Sequence, residues 1–154
     1  MKARTIGLTL ALCLVGVASC SAQDVQMGTW KLNEAESKLA SGGPKNTRVV
    51  YEAAGDNVKV TVDGIGSDGQ PTHNEWTGKF DGKDYPVTGD PTSDVRSYRR
   101  IDDHTLGLNG TKGGKLTISG RIVVSDDGKT RTVTLGGTDP TGNKYQSIAV
   151  YDKQ

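Results

Sequence analysis

From residue 27 onward, polar and apolar positions alternate with a period of two, the signature of strands with one buried and one wetted face. Val58, Val60 and Val62 alternate with Lys59, Thr61 and Asp63, and Val133 and Leu135 alternate with Thr132 and Thr134. Leu116, Ile118, Ile122 and Val124 share one face of a longer run, with Gly120 where a strongly coiled strand bends. The pattern predicts strands over 27–32, 46–53, 57–63, 73–80, 84–88, 94–101, 104–110, 115–125, 130–138 and 144–151. Asp68-Gly69, Asp81-Gly82 and Asp127-Gly128 fall between strands and supply the positive φ angles of tight hairpin turns. Asp139-Pro140-Thr141-Gly142-Asn143 makes the last connection. Helical character is confined to Asn33–Leu39, where Asn33 can cap Glu34-Ala35-Glu36-Ser37-Lys38 and Ser41-Gly42-Gly43-Pro44 ends the run. The expected fold is all-β, an antiparallel up-and-down meander of eight to ten strands closed into a barrel, since closure removes exposed edges. A barrel of this size fills with side chains or holds one small ligand.

The first 22 residues break the pattern. Lys2 and Arg4 precede an apolar run from Ile6 to Val17, and small residues Ala18, Ser19, Ser21 and Ala22 follow, which is the layout of an export signal. A run of about 12 residues is too short to cross a bilayer core of roughly 30 Å as a helix. Val17-Ala18-Ser19-Cys20 resembles the lipobox of bacterial lipoproteins. That resemblance implies cleavage before Cys20, attachment of acyl chains such as palmitate to that cysteine, and Ser21 as an outer-membrane sorting residue. The alternative is ordinary cleavage after Ala22, giving a periplasmic or secreted protein. The expected organisation is a signal over 1–19, a tether over 20–26 and one barrel domain over 27–154. With Cys13 in the leader and Cys20 as the anchor, the body has no thiol for a disulfide, a zinc knuckle or a nucleophile. Removing Lys2 and Arg4 leaves 17 basic against 18 acidic residues, a balance that excludes a nucleic-acid binder relying on a basic stripe.

The mature chain opens Met27-Gly28-Thr29-Trp30-Lys31-Leu32, which resembles the G-x-W start of the calycin superfamily, the lipocalins and fatty-acid-binding proteins. It ends on a strand through Ile148-Ala149-Val150-Tyr151, as fatty-acid-binding proteins do. The resemblance implies that Trp30 plugs the base of the barrel and that an arginine from a late strand packs across its indole. Thr138-Asp139 resembles part of a lipocalin T-D-Y motif, with Pro140 in place of the Tyr. The stretch from Asn33 to Asn46 is too short for a helix-turn-helix lid, and no R-x-Y pair occurs around Tyr145-Gln146-Ser147.

Strict alternation places Arg99 on the face of Val95 and Ile101, and Arg131 on the face of Val133 and Leu135. An inward arginine is costly unless it meets an anion or stacks on an aromatic ring. With Arg131 taken as the arginine over Trp30, Arg99 remains to hold a ligand carboxylate, or else reaches water at a barrel mouth. Trp76, Phe80 and Tyr98 either line a cavity or complete the core. His73 and His104 stand alone and read as surface residues, so no metal site and no cofactor are expected. The glycine-rich run Gly107–Lys115 lacks the P-loop spacing and reads as a hairpin. Asp63 and Glu75 are not placed to name a general base, so no catalytic residue is assigned. The first expectation is a monomeric, non-enzymatic lipocalin-like barrel in the bacterial cell envelope, on the outer membrane or in the periplasm. It binds a small apolar or amphipathic ligand and meets the membrane through its lipid anchor. The rivals are a dry barrel acting as a protein-interaction module, such as a protease inhibitor of calycin type, and a barrel enzyme.

Overall fold

The computed structural model describes residues 24–138 and 142–154. The leader with Cys20 lies outside the described residues, as do the first three positions of the Asp139–Asn143 connection. Ten strands follow one another: β1 (Gly28–Leu32), β2 (Lys45–Ala54), β3 (Asn57–Ile65), β4 (Pro71–Gly78), β5 (Tyr85–Thr88), β6 (Val95–Arg100), β7 (Thr105–Lys112), β8 (Lys115–Val124), β9 (Thr130–Thr138) and β10 (Lys144–Lys153). Each pairs antiparallel with its sequence neighbours, and β1 closes the barrel on β10 from Trp30↔Lys153 to Leu32↔Tyr151. Asp68-Gly69 and Asp127-Gly128 form the turns expected of them, with Gly69 and Gly128 at φ of 79° and 70°. Gly82 also has a positive φ of 79°, but Asp81-Gly82 makes no hairpin turn: it lies in the connection between β4 and β5, where Asp81 bridges to Arg99 and the Gly82 amide donates to the Tyr98 carbonyl. In β8 the backbone of Gly120 runs against β9 so closely that a Cβ there would lie 2.2 Å from the Thr134 carbonyl oxygen.

Among the described residues there is no helix, which corrects the expectation for Asn33–Leu39. A single turn forms, with the Glu36 amide donating to Asn33 Oδ1 at 3.3 Å. It stops there because β10 competes for the polar groups. Ser37 Oγ donates to the Asn33 carbonyl at 2.6 Å and accepts the Val150 amide at 2.9 Å, and Lys38 bridges to Ile148.

The strand directions define two ends. At the base, Trp30 is fully buried and its indole N–H donates to the Gln26 carbonyl at 3.0 Å. Gln26, also fully buried, donates its side-chain amide to the His104 carbonyl at 3.0 Å, and Asp24 pairs with Arg100. Residues 24–26 therefore belong to the barrel and not to the tether predicted over 20–26. Their polar side chains read as linker, but they bond to the hairpin ends that they cover. The opposite end carries the 33–44 segment and the turns joining β3 to β4 and β7 to β8. The core runs between the ends and includes Val60, Trp76, Leu106, Ile122 and Val124, each at most 1% exposed.

Candidate functional site

The upper half of the barrel encloses a cavity of about 110 Å³, bounded at its mouth by Leu39, Pro44 and Asn46. Aliphatic side chains from the facing strands, among them Val62, Ile122 and Leu135, form its apolar wall. Its floor and polar wall are built from Tyr51, Arg96, Tyr98, Arg131 and Tyr151.

Arg131 projects inward from β9 and is 3% exposed. Its guanidinium lies 4.5 Å from the ring centre of Tyr51, 5.7 Å from that of Tyr151 and 5.8 Å from that of Trp30. Nη2 donates to the Tyr51 hydroxyl at 2.7 Å. Among the described residues, Nε and Nη1 are buried with no hydrogen-bond acceptor, and no carboxylate pairs with this side chain. Burial pushes the Tyr51 phenol well above its ordinary range, against the pull of Arg131, so Tyr51 stays protonated and its O–H remains a donor. Burial likewise raises Tyr151 to about 12, again opposed by Arg131. The Tyr151 hydroxyl donates to the Asn46 carbonyl at 3.0 Å.

Arg96 is the second inward arginine, 8% exposed. Its Nη2 meets Asp90 Oδ2 at 2.6 Å and its Nη1 donates to Asn74 Oδ1 at 3.0 Å. Burial works to raise the Asp90 carboxyl, but Arg96 and two hydrogen bonds from Thr92 outweigh it and hold the group below the usual carboxylate range. Tyr98 lies close enough to Tyr51 and Arg96 to act on both, so a polar row runs from Arg131 through Tyr51 and Tyr98 to Arg96 and Asp90.

The sequence-predicted residues divide among three places. Arg131 and Tyr98 share the cavity wall, where Tyr51, which the sequence reading did not single out, joins them, and Trp30 lies directly below Arg131. Trp76 and Phe80 do not line the cavity. Their rings stack at 6.4 Å, and Trp76 meets Tyr98 edge-on at 4.6 Å, in a cluster that completes the core. Arg99 is exposed on the outer surface, and its inward placement is corrected. The alternation was counted from Val95 and Ile101, but Val95 is only half-buried and Ile101 is 42% exposed beyond the strand end. Tyr98 marks the true inner face of β6 and takes Arg96 with it, two residues earlier. That spacing was the available signal for Arg96; nothing in the sequence marked Asp90 and Asn74 as its partners.

Asp63 and Glu75 lie on the outer face. His73 Nδ1 sits 2.7 Å from Asp63 Oδ1, and Lys59 Nζ is 2.7 Å from Glu75 Oε1. His104 is half-buried at the base, its ring nitrogen 3.1 Å from the Val124 carbonyl. Among the described residues no group of three His, Cys, Asp or Glu side chains could hold a metal ion.

No protein-family model matches the sequence, and neither does any curated protein. Solved structures do. EF1p2_mFAP2b bound to DFHBI aligns with 84% of this chain and 94% of its own, at 11% identity and a TM-score of 0.51. The redesigned β-barrel mFAP1 bound to DFHBI covers 84% of this chain and 95% of its own, at 16% identity and a TM-score of 0.47. The likeness is one of fold. The architecture is all-β, a closed antiparallel barrel of ten strands.

Proposed function

We propose that this protein is a small-ligand-binding barrel of the bacterial cell envelope, not an enzyme. The observation that supports it is a cavity of about 110 Å³ flanked by buried tyrosines and arginines and bounded at one end by a loop segment. The cavity is well below the roughly 300 Å³ of sites for drug-sized ligands. The reading therefore narrows to compact molecules, since a long acyl chain has no room without displacing Leu39 and Pro44. The carboxylates first considered for catalysis, Asp63 and Glu75, face outward, and the inner carboxylate Asp90 is already paired with Arg96. EF1p2_mFAP2b, of similar fold, holds a small molecule. The envelope location rests on the leader and the lipobox-like Val17–Cys20.

The test is a titration of the purified protein with short-chain alcohols, amides and carboxylates, followed by tryptophan fluorescence and by amide NMR. Trp30 lies under Arg131, and Trp76 touches Tyr98, so a ligand in the cavity is expected to perturb both reporters saturably. No saturable response from any probe would leave a dry core and favour the protein-interaction reading instead.

A further inference from the structure

We infer that the outer face of β6–β8 near the base is a membrane-contact surface, where Ile101 and Val123 enter a phospholipid interface and Arg99 and Arg121 hold its phosphates. The inference goes beyond the cavity and rests on the lipoprotein part of the reading above. Among the described residues four large apolar side chains are 40% exposed or more, and two of them, Ile101 and Val123, belong to this face. Gly107 brings the patch together. It pairs with Arg99 on one side and Arg121 on the other, and Ile101 lies over it, Cδ1 3.5 Å from where a Cβ would stand. Val123 follows Arg121 on the same face of β8, opposite Thr105.

Charge sets this face apart. On the outer face of β2–β4, Arg48, Asp63, His73, Glu75 and Lys59 form a chain of contacts between 2.7 and 3.6 Å and satisfy one another. Arg99 and Arg121 are exposed and have no ion-pair partner among the described residues. A guanidinium is the group that matches phosphate oxygens bidentately. In the adjoining turn, Asp102 caps the His104 amide at 2.9 Å and Asp103 is exposed. The face thus offers cations for headgroup phosphates and an acid for headgroup amines. Aliphatic side chains ringed by arginines are what an interfacial contact needs, the apolar tips buried at the acyl boundary and the charged heads kept in the polar layer.

The point where the chain enters selects the occupant. Asp24 pairs with Arg100, the residue between Arg99 and Ile101, and the Gln26 side-chain amide donates to the His104 carbonyl at 3.0 Å. The N-terminal segment therefore joins the barrel beside the patch. With Cys20 acylated, Ser21–Gln23 span about 10 Å at full extension, so the bilayer surface lies within that reach of Asp24 and of the β6–β7 turn. A tether alone lets the barrel swing. The patch gives it one orientation.

The experiment uses the acylated full-length protein in vesicles of phosphatidylethanolamine and phosphatidylglycerol. With the leader removed and Cys20 acylated, no other thiol remains, so Ile101→Cys, Val123→Cys and, at the opposite end, Leu116→Cys each take a fluorescent label at one position. Labels at 101 and 123 are expected to be quenched by brominated acyl chains and shielded from aqueous iodide, and the label at 116 to show the reverse. Replacing Arg99 or Arg121 by Gln should lower the ratio of docked to undocked barrel, read from the label at 123, by about fivefold for each arginine. If all three labels are equally open to iodide in protein of confirmed acyl mass, the inference is overturned and the lipoprotein reading stands. A wild type without acyl mass overturns both. Shielding of position 101 in unanchored Cys20→Ala protein that rises with concentration, alongside a dimer in sedimentation, assigns the patch to a second copy and also overturns the inference.

Discussion

Arg96 and Arg131 stand in the same wall but differ in what surrounds the charge. Arg96 is an internally satisfied cation, since Asp90 and Asn74 take three of its N–H groups, and the side chains of the ion pair are only 10% and 5% exposed. Arg131 has one hydroxyl and three ring faces. Removing the carboxylate from the first pair should therefore expose its worth directly. Asp90→Ala leaves the Arg96 guanidinium buried without its counter-ion, and we expect a loss of about 3 kcal/mol in a urea denaturation. The pH dependence has a definite sign. The folded carboxyl lies below the ordinary value of 3.8, so its contribution is complete above about pH 4 and is lost as pH falls through the lower folded value. The wild type should thus show a steeper acid limb of stability than Asp90→Ala. Equal acid limbs would mean that the pair contributes nothing to folding.

Between elements, the least paired seam is β5. It meets β4 only at Glu75↔Thr88 and Trp76↔Val87, and β6 only at Tyr85↔Arg96 and Pro86↔Val95, whereas β2–β3 and β9–β10 are paired along nearly their full lengths. Side chains span the gap. The Trp76 indole N–H donates to the Arg96 carbonyl at 3.0 Å, and Arg96 reaches Asn74, so β4 is tied to β6 across β5. Hydrogen exchange should accordingly be faster in β5 than in β3 or β9, and Trp76→Phe should accelerate it further in β5 and β6 by removing that bond. Uniform protection across the ten strands would show that the backbone ladder alone holds the seam. The same seam explains what was legible in the sequence. Strands such as β3 and β9 keep one face dry, so Val58, Val60, Val62, Val133 and Leu135 announce them by alternation. The polar side of the cavity is built from groups whose partners lie far along the chain, as those of Arg96 do, and alternation carries no information about such pairing. In β6 it misled, because outward Ile101 is apolar and inward Arg96 is charged, the reverse of the usual rule.

At the scale of the whole molecule, the two ends of the barrel have different roles. The base is sealed by Trp30, Gln26 and the Asp24–Arg100 pair, and the chain enters there. The cavity mouth, at Leu39, Pro44 and Asn46, lies at the opposite end. On the lipoprotein reading, acylation at Cys20 leaves only Ser21 to Gln23 as a free tether, about 10 Å at the extended limit. On that reading a tether so short would hold the base toward the bilayer and turn the mouth to the aqueous side, an orientation that suits capture of a small water-soluble ligand and not extraction of a lipid. Two or more acyl chains give stable anchoring, because each buried CH₂ contributes about 0.8 kcal/mol. Cys20→Ala should therefore move the protein from the membrane fraction to the soluble fraction and abolish the added acyl mass. Its affinity for the same ligand should be unchanged, since the cavity is at the far end of the barrel. Intact-mass spectrometry with membrane fractionation of wild type and variant measures this. A wild type that is soluble, with its N-terminus at Gln23 and no acyl mass, would show ordinary secretion and free the barrel from any fixed orientation.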